Sequence, residues 1–329
     1  MILPVVLAVY AVFALTLYVM LDGFDLGVGM LLLLQRDQAG RNHMVDSITP
    51  TWDGNETWLI LSGVTLLAGF PLAYGILMPA LYIPLILMLL SLGLRGVSFE
   101  FRVQTKVYRP HWDRVFAFGS LLAALMQGIV VGTLLQGVAV EGVGYSGGPL
   151  EFLRPLPLIC GLGLIISYMV LGAGWLYLKG NAPIEKFARR GLRRLVPAQL
   201  FVTLVAVVYG VASVAELRGA IVLHQTKFLV IGGMGVLVTV SVLPSLRSRR
   251  KSLPFLLGLA SFLVAIAALG GMVFPYIVPF KLTVWDAAAP RLSQLFVLVG
   301  ACIVTPVVIA YSLFAYWVFR GKTPDRGWE

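Results

Sequence analysis

The 329-residue chain is poor in the side chains on which soluble catalysis draws: charged residues make up only 12% of it, with two cysteines and three histidines. His43, His111 and His224 all fall between apolar stretches, so no histidine pair is available to ligate a haem at membrane depth. Cys160 and Cys302 lie within apolar stretches and have no CxxC or zinc-type spacing. They are expected to be buried, inert thiols. No Walker A lysine, HExxH helix or GxSxG elbow with triad partners is present, which excludes nucleotide-driven and hydrolytic chemistry built on those motifs. Long linkers and low-complexity tracts are missing too, so residues 1–329 read as one polytopic membrane domain.

What is abundant is apolar: 59% of the residues are hydrophobic, a composition of a membrane protein rather than of a soluble domain with an anchor. A helix needs roughly 20 apolar residues to cross the hydrocarbon. Nine windows meet that length, at about 3–21, 56–74, 77–97, 115–137, 156–178, 198–217, 228–246, 254–275 and 293–318. The first is expected to be a retained span, because it has no basic leader and runs directly into Asp22-Gly23-Phe24-Asp25.

Positive charge is divided unevenly among the gaps. Of 25 Lys and Arg, only Arg154, Arg218, Lys227, Lys281 and Arg291 lie in the even-numbered gaps; the remainder, from Arg36 to Arg326, occupy the odd gaps and the C-terminal tail. The positive-inside rule then places the N-terminus outside and the C-terminus in the cytoplasm. The same distribution accounts for the net charge of +10 without nucleic acid as a partner, through insertion topology and contact with anionic lipid.

Prolines 71, 79, 155, 157, 197, 254 and 275 are read as helix punctuation, whereas Pro84, Pro244 and Pro306 fall in or at the edge of spans. Segment Ile184–Arg190 mixes apolar and basic positions as an interfacial helix would, although a solvated basic loop fits as well. Gly119 with Ala123, Gly128 with Gly132, and Gly172 with Gly174 mark faces where helices can approach closely.

Carboxylates gather toward one predicted face: Asp22 and Asp25 after the first span, Asp46, Asp53 and Glu56 before or in the second, and Glu100 at the end of the third. A carboxyl at the edge of hydrocarbon is costly unless paired, hydrated or protonated. If the first helix continues through Gly23 and Gly27, Asp22 and Asp25 share a face on which an arginine of the third span can neutralise them. Asp53 fits two roles equally, an N-cap completed by Glu56 in a capping-box arrangement or a proton-carrying group. Trp52, Trp58, Trp112, Trp175, Trp285 and Trp317 read as interfacial anchors, and Asp286 as the N-cap of a short helix over 287–289.

Taken together, Asp22-Gly23-Phe24-Asp25-Leu26-Gly27-Val28-Gly29-Met30, the run Asp46 to Trp58 with Trp52-Asp53-Gly54-Asn55 at its centre, Arg95-Gly96-Val97-Ser98-Phe99-Glu100-Phe101-Arg102, Leu135-Gln136-Gly137-Val138 and the loop Thr283-Val284-Trp285-Asp286 resemble subunit II of the cytochrome bd-type quinol oxidases, including their cyanide-insensitive branch. The resemblance covers essentially the whole chain. It implies an all-α integral membrane protein of nine transmembrane helices, arranged as two four-helix bundles plus one peripheral helix. It also implies a haem-bearing subunit I as partner, which holds haems b and d, oxidises quinol and reduces dioxygen to water in the bacterial cytoplasmic membrane. This chain would bind no cofactor or metal itself, and a small single-span subunit and membrane lipid are further partners. Carried onto this sequence, the resemblance makes Asp53 a station on a proton path, extended by Asp25 and Glu100, with Asp22, Trp52, Asn55, Trp58, Arg95, Arg102, Trp285 and Asp286 as the surrounding motif. The competing class is a proton-coupled secondary transporter, in which Asp22, Asp25 and Asp53 would couple substrate to protons across broken helices.

Overall fold

The computed structural model describes residues 2–105 and 107–323; Lys106 and Arg326 of the charge pattern lie outside them. The described chain is helical apart from two short hairpins and its connecting turns. Its helices are α1 (Ile2–Leu32), α2 (Gln38–Asp46), α3 (Trp52–Gly69), α4 (Pro71–Gln104), α5 (Arg109–Gln136), α6 (Pro155–Lys179), α7 (Ala182–Ser213), α8 (Ala215–Leu223), α9 (Gln225–Ser245), α10 (Leu253–Val273) and α11 (Arg291–Val318). Strands β1 (Val140–Glu141) and β2 (Gly144–Tyr145) form one antiparallel hairpin, β3 (Tyr276–Val278) and β4 (Leu282–Thr283) the other.

Among the described residues, eight helices are long and apolar enough to cross a membrane; α3, which carries Asp53 and Glu56 in its 18 residues, is not one of them. The expected second and third spans are therefore redrawn. The chain breaks at Phe70, and Pro71 opens α4, where its missing N–H costs nothing. Pro79, read as a helix end, lies with Pro84 inside the 34 residues of α4. Likewise Pro197 sits within α7, and Ile184–Arg190 is the first part of that same helix rather than a separate interfacial helix or a loop. Asn181 fixes the start of α7 by accepting from the Ile184 N–H at 3.3 Å. In a packed helical bundle, neighbouring helices re-satisfy the backbone groups that a proline frees.

α1 is the central element and packs against α3, α5 and α6. Small residues set these distances. A Cβ on Gly27 would stand 1.9 Å from the Tyr168 carbonyl oxygen, and one on Gly172 would stand 2.4 Å from the Gly27 carbonyl carbon, so α1 and α6 meet backbone to backbone. Gly128 and Gly132 of α5 meet Cys160, Gly161 and Pro157 of α6 in the same way. The largest apolar core joins Phe24, Leu26 and Leu31 of α1 to Phe116 of α5, Tyr168 and Trp175 of α6, and Phe255 of α10.

Several sequence expectations change in this packing. Trp58 and Trp175 are core residues, not interfacial anchors: both are buried, and Trp175 stacks on Phe24 with ring centroids 4.4 Å apart. Cys160 is half-buried and Cys302 is exposed, because α11 turns most of its apolar surface outward. Asp286 caps no helix. Its Oδ2 accepts from the Thr283 hydroxyl at 2.6 Å and the Thr283 N–H at 3.0 Å, closing a turn, and α11 begins only at Arg291.

Candidate functional site: a buried carboxylate cluster beside an open groove

The α1 helix does continue through Gly23 and Gly27, and every residue from Asp22 to Leu32 is buried. Two carboxyls are thereby carried into the interior. Arg95 enters from α4, fully buried, and its Nη2 pairs with Asp22 Oδ1 at 2.6 Å and with Glu56 Oε1 of α3. The guanidinium also lies over the Trp52 ring, 6.0 Å from its centroid, and Trp52 stacks on Phe99 at 4.9 Å. Asp25 is held differently: Asn55 Nδ2 donates to its Oδ2 at 2.7 Å, and the Tyr316 hydroxyl of α11 donates to Asn55 Oδ1 at 3.0 Å. Two carboxyls thus share one guanidinium while Asp25 rests on an amide, so three acidic side chains stand beside a single buried cation.

Asp53 lies at the edge of this cluster. Thr51 is the N-cap of α3 and makes no side-chain cap bond, so Asp53 is a first-turn residue and not the cap, and no capping box forms with Glu56. The helix begins two residues ahead of where the capping-box pattern would start it, so Asp53 already sits inside the first turn, where a carboxylate complements the helix dipole. Its side chain is exposed and lines an open groove of about 250 Å³ with Thr51, Asn55, Tyr311, Ser312 and Tyr316. Asn55 and Tyr316 both line the groove, and Asn55 also bonds Asp25 on its inner side.

Glu100 does not join this group. It lies on the exposed face of α4 and accepts from Gln104 at 2.9 Å. Trp285 and Asp286 lie at the opposite end of α3, where the N–H of nearby Ala289 donates to the Gly69 carbonyl at 2.9 Å. Arg102 belongs to a second buried cluster. Its Nε pairs with Asp113 Oδ1 of α5 at 2.6 Å and its Nη2 donates to Asn42 Oδ1 of α2 at 2.6 Å, while Gln38 donates to the other Asp113 oxygen at 3.1 Å. This knot joins α2, α4 and α5 just ahead of α3.

Sequence reasoning missed Asp113, Asn42 and Gln38, and also a buried chain in which Tyr168 donates to Gln127 and Gln127 to Tyr18, each at 2.7 Å. One signal was available, since Tyr18 stands four residues before Asp22 and so shares its helix face. The donor set does not suit a haem. His43 Nε2 already accepts from the Asn181 N–H at 3.2 Å, His111 is exposed beside Trp112, and His224 is exposed between α8 and α9, so no two face each other across a pair of helices.

Comparison with known proteins agrees with this architecture. Cytochrome bd-I ubiquinol oxidase subunit 2 of Escherichia coli is 28% identical over 340 positions, which cover 92% of this chain and 90% of that protein. Cytochrome bd ubiquinol oxidase subunit 2 of Bacillus subtilis is 26% identical over 327 positions, with 93% and 92% covered. A chain in the structure of the bd oxidase from Geobacillus thermodenitrificans has the same fold, with a TM-score of 0.78 at 20% identity over 98% of this chain and 100% of that one. The model of the family described as cytochrome bd terminal oxidase subunit II matches residues 3–319, and the chain belongs to that family.

Proposed function

We propose that this chain supports the haem-bearing subunit I and contributes to proton uptake from the cytoplasm, with Asp53 at the mouth of the route. As a subunit of a bd-type quinol oxidase it is part of an oxidoreductase complex in the bacterial inner membrane, which it crosses several times, and subunit I is its partner. The haems b and d of that complex belong to subunit I in this reading, which accords with the positions of the three histidines here.

The carrying observation is the groove that brings exposed Asp53 beside Asn55 and Tyr316, which in turn bond toward buried Asp25. Oxygen reduction consumes protons within the membrane, and quinol oxidised at the outer face releases its own there, so charge separates without a pump. Uptake requires a group that takes both charge states where water meets the protein. Asp53 is exposed at the groove, Glu100, away from the cluster, is the weaker extension, and Asp25 is the inner carboxyl. The charge distribution supports an outside N-terminus; the nine spans in two four-helix bundles plus a peripheral helix that the resemblance implies count α3 with the eight longer helices. Quinol as substrate of the complex, a small single-span subunit and lipid complete the proposed set of partners.

Asp53→Asn tests the route in the purified complex. The expected variant assembles with its full haem content and loses quinol-driven oxygen consumption by about ten-fold or more. Turnover near wild type would remove Asp53 from the route, and loss of haem d would make its role structural.

A further inference from the structure

Asn55 sits between Asp25 and Tyr316 and bonds both through its amide. Its Nδ2 donates to Asp25 at 2.7 Å and weakly to the Leu21 carbonyl at 3.4 Å, while its Oδ1 accepts from Tyr316 at 3.0 Å. Rotated by half a turn, the amide would present an acceptor oxygen to the Asp25 carboxyl, which fits only when that carboxyl carries a proton to donate. Asn55 is 1% exposed, so these partners hold its amide. The amide orientation and the state of Asp25 are therefore linked, and the outermost member of the link lies on α11, 261 residues away from Asn55 in sequence.

We propose that Tyr316 is a positioning residue: by donating to Asn55 Oδ1 it holds the amide N–H toward Asp25, so that the last helix of the chain fixes Asp25 as a hydrogen-bond acceptor. This rests on the reading of Asp53 and Asp25 as stations of one proton route. The primary amide between them is a poor proton carrier, so Asn55 acts as an oriented dipole beside the route and not as a carrier on it. The charged and titratable groups facing Asp25 are Asp22 of its own helix, Arg95 of α4, Glu56 of α3 and Tyr316 of α11. Of these, Tyr316 is the one that also lines the groove. The other α11 to α3 bond, from the Tyr311 hydroxyl to Thr57 at 3.1 Å, involves no member of the carboxylate cluster and provides a control for docking of the helix.

The test is infrared spectroscopy of the whole oxidase complex. The Asp25 stretch is identified as the band that ¹³C-aspartate shifts and that Asp25→Asn abolishes. In Tyr316→Phe the Asp25 band is expected to shift or split into two components, with haem content unchanged, while in Tyr311→Phe it stays in place. An unmoved band in Tyr316→Phe overturns the proposal, and equal movement in Tyr311→Phe overturns it too, since docking of α11 alone would then suffice. Should Tyr316→Phe not assemble, Tyr316→Gln, which keeps a donor, is compared with Tyr316→Met, which has none, and only the second should move the band. Asp53→Asn separates the two readings: it leaves the Asp25 band in place whether or not turnover survives, so the route can fail while the positioning role stands.

Discussion

Asp113→Ala should be among the most destabilising single substitutions in the chain, although Asp113 is far in sequence from the carboxylate cluster. Its side chain is fully buried, one oxygen pairs with Arg102 Nε at 2.6 Å, and the other takes the Gln38 amide at 3.1 Å and lies 3.7 Å from Arg41 Nη1. Truncation leaves the Arg102 guanidinium, itself only 2% exposed, with Asn42 as its remaining side-chain acceptor. Removing one partner of a buried ion pair costs about 3–5 kcal/mol, whereas replacing both by apolar groups of similar volume is often neutral. The double variant Asp113→Leu with Arg102→Met should therefore cost much less than the sum of Asp113→Leu and Arg102→Met measured singly, a coupling of about 3 kcal/mol. The assay is equilibrium unfolding of the purified complex in mixed micelles of rising SDS fraction, with tryptophan fluorescence and haem retention as probes. Because the pair also ties α2 to α4 and α5, trypsin cleavage after Arg36 and Arg41 should accelerate in Asp113→Ala and return toward wild type in the double variant. A cost below about 1 kcal/mol, or strictly additive single and double effects, would refute the reasoning.

Gly27→Ala places a methyl group 1.9 Å from a backbone oxygen of α6 that cannot rotate away, so the yield of haem-loaded complex should fall, with a stability loss of about 1–3 kcal/mol. Gly75→Ala, with no atom within 4 Å of the new Cβ, should match wild type in the same preparation. In the turn after β4, hydrogen bonds from the Thr283 hydroxyl and then its N–H hold the Asp286 carboxyl below the ordinary carboxylate range. The turn's stabilisation is thus complete above the ordinary carboxylate pKa and is lost as pH falls through the lower folded value. Thr283→Val should move the Asp286 titration, followed by ¹³C NMR, back up toward the ordinary range; an unchanged midpoint would show that the hydroxyl is not the cause. Reporter fusions after Lys179 and Lys251 should read cytoplasmic and one after Glu151 external, and any reversal would break the nine-span, outside-first topology.

The local pattern of the chain determined that it is a helical membrane protein, roughly where each apolar stretch lies, and that Asp22 and Asp25 share a face an arginine from the third span can reach. Those properties depend on composition and on the 3.6-residue period, which a single segment carries by itself. The boundaries of α3, α4 and α7 were not legible, because a proline inside a helix is tolerated only when neighbouring helices take up the freed carbonyls. Nor was the burial of Trp58 and Trp175, since lipid and a neighbouring helix are equally apolar and the sequence does not distinguish a face turned to one from a face turned to the other. Asp113 with Arg102, Asn55 with Asp25, and Tyr316 with Asn55 are pairings between different helices. Only the packing of those helices decides which polar groups meet, because a buried polar group is costly until another helix brings it a partner.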